Sequence, residues 1–546
     1  MRRPRMLMVY PRFARNLFLN FEYMLPFIPG KKAVIPSLGL LAFAGRVRDD
    51  WDLRLVDEHV REVTDDDLAW ADVVAVSGMH PQRARIEAIV DRANAAGCVS
   101  LVGGPSVSIC PEYYPRADYL HLGELGDGTD ALLERLHQSL ERPAEQEIFA
   151  TRDKTPLSEQ PIPAYDLIDT NHYILMPLQF SVGCPYTCEF CDIPAIYGSK
   201  ARLKSPERVV AEMQAIYDTG FIGTILFVDD NLIAHKGAVK EMLPSVIAWQ
   251  EAHRFPYPLS AEASINIARD EALLELLREA RCTHMFLGVE SPDPDTLVAI
   301  SKRQNIKDPL LSSIRKIQAH GMEVNMGMIF GFDTDTERSG QAMTRFIEAA
   351  QSPVVYFNLL AALPKTPLFD RLEREGRLLG DDHKKSDDIL NCLDTNVDYV
   401  LPNEVVERML LETVEQVYAS EAVYERTTWN LENVNPQQRL GVPPLESVED
   451  AATLARYTLG TLSLLVFRLG VLDEDRQLFW AFVKRCLELR AAGKLESALE
   501  PILRMTPIAH HLITWGRTLL QDRRTRARRP APEDTRRRRH IPVQQS

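Results

Sequence analysis

Ser181-Val-Gly-Cys184-Pro-Tyr-Thr-Cys188-Glu-Phe-Cys191 is the stretch on which the reading of this chain turns. Its cysteines follow C-x3-C-x2-C, and a cubane iron-sulfur cluster takes four thiolates, so three on one short loop leave one iron of a [4Fe-4S] cluster without a protein ligand. An outside molecule can complete that iron, which makes the loop a place for chemistry. Cys184, Cys188 and Cys191 are the expected metal ligands.

Chance clustering of three among eight cysteines, or a structural zinc, are the competing readings. Zinc wants four ligands, usually from two separated pairs, and the nearest candidates, His172 and His235, form no knuckle. The surroundings favour the cluster. Leu178-Gln-Phe-Ser-Val182 reads as a strand feeding the loop, and Lys204-Ser-Pro-Glu207 reads as a helix start with Pro in the first turn.

Working outward, 546 residues at 45% hydrophobic and 26% charged are enough for three soluble domains. No apolar run reaches the length of a membrane span, and the start Met1-Arg-Arg-Pro-Arg-Met lacks a signal-peptide pattern, so a cytoplasmic protein is expected. Cys98, Cys110, Cys282, Cys392 and Cys486 show no disulfide-framework spacing, which suits a reducing compartment. A net charge of -14 argues against a nucleic-acid partner. The exception is the tail: nine arginines lie between Arg523 and Arg539, and residues 523–546 read as disordered. Such a tail is either a solvated terminus or a latch for anionic lipid headgroups, worth roughly 1 kcal/mol per basic residue, giving peripheral contact at the inner membrane surface.

Residues 1–140 alternate short apolar runs with helical stretches: Met6–Tyr10, Leu53–Val56, Val73–Val76, Ser100–Val102 and Tyr119–Leu122. This is the pattern of a doubly wound, Rossmann-like α/β domain with a parallel sheet covered on both faces. Small residues follow the strands, at Ser77-Gly78, Gly103-Gly104 and Gly123, where such sheets bind ligands. There is no G-x-G-x-x-G after the first strand and no P-loop motif. Residues 141–175, with Pro143, Pro156, Pro161 and Pro163, read as a linker. Residues 176–375 again alternate, with strands expected at the cluster loop, Thr224–Val228, Leu259–Glu262, Met285–Val289, Val324–Phe330 and Val354–Asn358. Six βα units make an open (β/α)6 barrel, whose polar strand ends are the expected site. Residues 376–522 read as a helical C-terminal domain. Within it Leu459–Leu472 is apolar almost all round and reads as a buried helix or as part of an apolar entrance for a lipid.

The cysteine loop resembles that of the radical S-adenosylmethionine (SAM) enzymes, in which the amino and carboxylate groups of SAM occupy the open iron. That resemblance implies Phe190 against the adenine side of SAM, Asp229 and Asp230 near the methionine amine, and Glu262 and Ser264 near the ribose. Glu290 and Ser291 end the fourth strand, and Ile329 lies in the adenine-backing motif, with Glu337 beyond. The first domain, with Pro36-Ser-Leu-Gly39 opening its first helix, resembles the cobalamin-binding domains that precede radical SAM cores. This implies that Ser77, Gly103, Gly104 and Gly123 line the pocket for the cobalamin's nucleotide tail. The D-x-H-x-x-G motif of histidine-ligated cobalt is missing after the first strand. His59 is expected at the surface, and His80 is a secondary candidate for facing cobalt.

Asp66-Asp-Leu-Ala-Trp70, Ser77-Gly-Met-His-Pro-Gln82, Phe227-Val-Asp-Asp-Asn231 and Glu262-Ala-Ser-Ile-Asn266 are similar to one subgroup. It comprises cobalamin-binding radical SAM proteins with a helical C-terminal domain of undefined function, and includes the hopanoid C-2 methylases. The resemblance implies C-methylation of an unactivated carbon in a lipid or another biosynthetic intermediate, through a 5'-deoxyadenosyl radical and methylcobalamin. No catalytic side chain is implied beyond the cluster and cofactors. A low-potential electron donor, flavodoxin or ferredoxin, is also implied. Rearrangement or cyclisation without methyl transfer is a second reading, and a non-catalytic cobalamin or SAM sensor a third.

Overall fold

The protein is described from a computed structural model covering residues 2–13, 21–379, 395–434 and 448–528. The first sheet holds β1 (Arg5–Tyr10), β2 (Asp52–Asp57), β3 (Val73–Ser77), β4 (Val99–Gly103), β5 (Tyr119–Leu122) and β6 (Glu147–Ala150), all parallel, in the order β2-β1-β3-β4-β5-β6. Its unbroken apolar runs have a direct cause. In β1, Leu7 and Val9 enter one core while Met6 and Met8 enter another, so both faces are covered by helices. The order reverses between β1 and β3, which opens a crevice at the carboxyl edge. β6 lies in the stretch read as a linker. It is an edge strand whose side chains are half-buried or exposed, so it lacks the buried apolar run by which the others were found.

The second sheet holds β7 (Leu175–Leu178), followed by a two-stranded ribbon of β8 (Ser181–Val182) and β9 (Arg202–Leu203), then β10 (Thr224–Phe227), β11 (Leu259–Ala263), β12 (Cys282–Glu290), β13 (Glu323–Phe330) and β14 (Val355–Leu359). Six of these are parallel neighbours in chain order, β7-β10-β11-β12-β13-β14, a curled half-barrel. The feeding strand expected at Leu178–Val182 is two pieces. β7 stops at Leu178, and Ser181–Val182 turns off to pair antiparallel with Arg202–Leu203, so the cysteine loop is carried on its own ribbon. The helix after it runs Pro206–Asp218, capped by Ser205, whose side chain accepts from the Arg208 amide.

Helices Asn403–Val417, Ser420–Asn433, Val448–Leu465, Arg476–Ala491 and Leu499–Arg528 form the C-terminal unit. Helix Asn403–Val417 lies on helix Ser339–Ala350, where Gly340 permits the approach: a Cβ there would stand 3.2 Å from the Met409 Cβ. Arg426, 2% exposed, donates to the Ser352 carbonyl at 3.0 Å. The long last helix reaches beneath the barrel, where Arg504 meets Glu323 at 2.7 Å and His284 at 3.3 Å, at the amino ends of β13 and β12.

Two expectations for this unit need correction. Leu459–Leu472 is helical, ending in a π-helical turn at Val466–Leu472, and Leu465 and Leu469 are buried, but Leu459, Phe467, Val471 and Leu472 are exposed. Arg523–Arg528, read as disordered, are the last turns of helix Leu499–Arg528. The rest of the tail lies outside the described residues.

Candidate active site

Glycine makes the start of the cysteine loop possible. Gly183 has φ +94°, and a Cβ there would sit 2.9 Å from the Gly198 carbonyl oxygen and 3.0 Å from that of Lys200. Its amide donates to Asp230 at 2.8 Å, and the Cys191 amide donates to the Cys188 carbonyl at 3.2 Å. All three cysteines are free thiols. Burial, with Asp192 and the other two sulfurs, pushes the Cys191 thiol up to about 12, and burial raises Cys184 as well. Buried thiols that raise one another's proton affinity are poor hosts for bare thiolates, and metal supplies the charge that ionises them. Among the described residues no group of three His, Cys, Asp or Glu could hold a single ion. Cubane thiolates bind separate irons and need not converge on a point.

The acidic strand ends divide into anchors and one open group. Asp229 is buried and accepts from the Phe180 amide at 3.1 Å, the Ser181 amide, and the Ser181 hydroxyl at 2.5 Å. Burial pushes its carboxyl up to about 6 despite those donors. Asp229 and Asp230 thus hold the two turns leading into the loop, and their bonds point toward the protein backbone. Asn231 donates to the Ser264 hydroxyl at 3.0 Å and receives the Ser264 amide at 3.1 Å. Glu262 differs. Its side chain is exposed to solvent and makes no hydrogen bond to a described residue. Desolvation by the surrounding protein, with Asp230 and Asp229 nearby, pushes its carboxyl up to about 7.

Glu290 closes β12 at φ +67° and receives the Lys302 ammonium at 2.5 Å. Lys302 is held in its charged form against burial by Glu290 and by Cys188, and lies 5.8 Å from the Phe190 ring. The Gln304 amide donates to the Cys188 sulfur at 3.7 Å. Ser291 is buried and receives the Asp293 amide at 3.2 Å. Ile329, half-buried on β13, pairs in register with Asn358 and packs on the barrel core. Phe190 lines a cavity of about 260 Å³ with Ile300, Phe332, Leu360 and Leu368; none of the acidic strand ends reaches it.

At the edge of the first sheet, Gly104 has φ +95°, and a Cβ would collide with the Ser77 hydroxyl. Gly123 has φ +92° and its amide donates to the Ser108 hydroxyl at 2.9 Å, while a Cβ on Gly103 would meet nothing nearer than His121 at 4.0 Å. Ser77, Gly103, Gly104 and Gly123 therefore border a trough with little side-chain volume, which fits a bulky ligand lying against backbone. His80 is buried beneath it, its Nδ1 3.1 Å from the Ser106 hydroxyl, and burial lowers its pKa to about 4. The exposed residue of that turn is Met79. His59, expected at the surface, is wedged against Tyr10 and Phe13, with Nδ1 2.7 Å from Asp57 and Nε2 accepting the Phe13 amide at 3.1 Å.

One clasp joins the two sites. Glu124, next to Gly123, pairs with Lys154 at 2.7 Å and with Arg202 of the cysteine ribbon at 2.5 Å. Helix Pro105–Ile109, after the Gly104 turn, also contacts helix Ile193–Ile196, after Cys191. Sequence reasoning gave no role to Glu124, Arg202, Lys302, Gln304 or Asn231.

A three-cysteine loop at the carboxyl mouth of a parallel half-barrel is the architecture of a radical SAM core, and the radical SAM superfamily signature matches residues 178–347. A domain of unknown function, DUF4070, matches residues 366–525. The chain is 40% identical over 515 residues to the hopanoid C-2 methylase of Rhodopseudomonas palustris, covering 94% of each. It is 35% identical over 478 residues to an uncharacterized methyltransferase of Synechocystis, covering 87% of this chain and 86% of that one. Among solved structures, the cobalamin-dependent SAM radical enzyme OxsB, with aqua-cobalamin and SAM bound, superposes at TM-score 0.59 and 16% identity, over 97% of this chain and 82% of OxsB. The radical SAM methyltransferase TsrM of Kitasatospora setae, with cobalamin and a [4Fe-4S] cluster bound, superposes at TM-score 0.54 and 14% identity, over 75% and 85%. The chain belongs to the radical SAM superfamily, in the family of the hopanoid C-2 methylase.

Proposed function

We propose that the protein is a cobalamin-dependent radical SAM C-methyltransferase acting on an unactivated carbon of a hopanoid-like polycyclic lipid. The observation that carries this is the clasp: Glu124 and Arg202 hold the glycine-edged trough of the first sheet against the ribbon bearing the cysteine loop. Likeness over nearly the full length to a hopanoid C-2 methylase supports the substrate class.

When bound, the cluster with SAM would supply a 5'-deoxyadenosyl radical and cobalamin the methyl group, chemistry that no side chain of the barrel offers. Cys184, Cys188 and Cys191 would hold the cluster, and Phe190 would flank the adenine side of SAM. Asp229 and Asp230 act as positioning residues, fixing the backbone turns before Cys184. Glu262, exposed and without a hydrogen-bond partner among the described residues, would meet the ribose hydroxyls, with Ser264 held by Asn231. Glu290, paired with Lys302, and Ser291 shape the neighbouring strand end, and Ile329 backs the adenine. Ser77, Gly103, Gly104 and Gly123 would cradle the nucleotide tail of cobalamin. A one-electron donor such as flavodoxin or ferredoxin is required. The arginine-rich tail from residue 523 would contact anionic lipid headgroups.

Anaerobic turnover of the reconstituted enzyme with SAM, a low-potential reductant and a hopanoid tests the reading. The expected result is a substrate heavier by one methylene, with S-adenosylhomocysteine and 5'-deoxyadenosine formed in equal amounts. A product of unchanged mass, formed with 5'-deoxyadenosine alone, would replace methyl transfer by rearrangement.

A further inference from the structure

The outer face of the C-terminal helical unit carries an apolar surface with no part in the catalytic reading. Helix Val448–Leu465 runs into the π-helical turn Val466–Leu472, reverses at Asp473–Asp475, and returns as helix Arg476–Ala491. Leu465, Leu469, Phe479 and Phe482 fill the inside of this hairpin. Its outside carries Leu459, Phe467, Val471, Leu472, Trp480 and Leu487, between 44 and 65% exposed.

These six are among sixteen large hydrophobic side chains exposed over the described residues. Even scatter would place about one of them in so short a stretch, so this is a patch rather than background. The members adjoin. Trp480 donates its indole N–H to the Gly470 carbonyl at 2.8 Å, beside Val471, and Phe467 stands one turn from Val471. Trp480 and Leu487 lie two turns apart on one helix face. A π turn is itself an uncommon feature that recurs at functional sites.

The rim carries cations. Arg468, Arg476 and Lys484 are exposed around the patch, Lys484 lying 3.8 Å from Glu488; of the nearby acids, Glu474 meets Arg517 at 2.7 Å, Asp475 meets Arg517 at 2.8 Å, Asp473 meets His510 at 3.5 Å and Glu488 meets Arg485 at 3.2 Å. Arg517 ties the last helix to the hairpin turn, and that helix then continues for about 16 Å to Arg528, into the arginine-rich segment. A second copy docked face to face would bring like charges together, because a two-fold interface sets each patch against itself. A surface with apolar chains at its centre, tryptophan at its edge and cations around it matches a bilayer interface. Among the described residues no helix is long and apolar enough to cross a membrane, so docking would be one-sided.

We propose that this hairpin is a monotopic docking surface for an anionic lipid leaflet. Phe467, Val471, Leu472 and Trp480 enter the acyl boundary, with Arg468, Arg476 and Lys484 at headgroup level. This goes beyond contact by the tail and is independent of the reaction catalysed.

The test uses full-length protein without substrate, mixed with vesicles of phosphatidylcholine alone or with phosphatidylglycerol added. Flotation should recover the protein with the anionic vesicles. Bromine-labelled acyl chains should quench a share of fluorescence that disappears in Trp480→Phe. Phe467→Asp combined with Leu472→Asp should weaken binding at least tenfold, with iron content and melting temperature unchanged. Removing residues 529–546 should weaken binding while Trp480 quenching persists at saturating vesicle concentration. Three results would overturn the proposal: equal binding by the double variant, quenching that vanishes with the tail, or a double variant whose sole change is dissociation of an oligomer.

Discussion

Replacing Arg504 with leucine is expected to unseat the barrel from the helical unit. Arg504 meets Glu323 at 2.7 Å and Glu500 at 2.8 Å, and the Glu323 side chain is 13% exposed. Burial alone would raise the Glu323 carboxyl, yet Arg504 and His284 pull it from 4.5 down to about 2. That shift corresponds to about 3 kcal/mol. The sign is that of a depressed carboxylate: the stabilisation is present in full above pH 4.5 and is lost as pH falls toward 2. Removing one partner of a buried pair costs about 3–5 kcal/mol, so the two routes agree. For a cooperative unit of roughly 200 residues this lowers the melting temperature by about 6–12 °C. Calorimetry at pH 7 should show that drop for Arg504→Leu. Adding Glu323→Gln should recover at least half of it, because the stranded charge is then gone. Acidification should narrow the gap between wild type and Arg504→Leu. A single variant that melts within about 2 °C of wild type, or a double variant no better than the single, would refute the argument.

Gly104→Ala should lose cobalamin at least tenfold more readily in dialysis followed by absorbance, because a side chain at φ +95° is strained and its Cβ displaces the Ser77 hydroxyl; retention equal to wild type would remove Gly104 from the cradle. Replacing Cys184, Cys188 and Cys191 by alanine should abolish iron-sulfur absorbance, whereas Cys282→Ala, on a buried barrel cysteine, should leave it intact. With the Glu262 carboxyl at about 7, SAM affinity should rise as pH passes upward through that value and the carboxylate forms. Glu262→Gln should flatten the profile in a calorimetric titration, and an unchanged profile would move the ribose contact elsewhere.

The fold was readable where each element needs only its own residues. Met6–Val9 is apolar throughout because β1 is covered on both faces, and the cysteine loop declares itself by spacing. β6 was lost for the opposite reason: as an edge strand it buries little. At the site, Asp229 and Asp230 were located but their hydrogen bonds to the backbone were not, since a carboxylate at a strand end reads the same in sequence whether or not it meets the backbone of Phe180, Ser181 and Gly183. The Glu124–Arg202 clasp and the Arg504–Glu323 pair join residues far apart in the chain, and no local pattern announces them. The run Leu459–Leu472 shows the limit of composition, which says that a helix is apolar but not which side is covered.

The half-barrel is fastened to the last helix at its amino end, by Arg504 on Glu323, and carries Glu262 and the cysteine ribbon toward its carboxyl end. Fastening and chemistry therefore sit at opposite ends of the same strands, so the anchor can be weakened by substitution without touching the residues of the site.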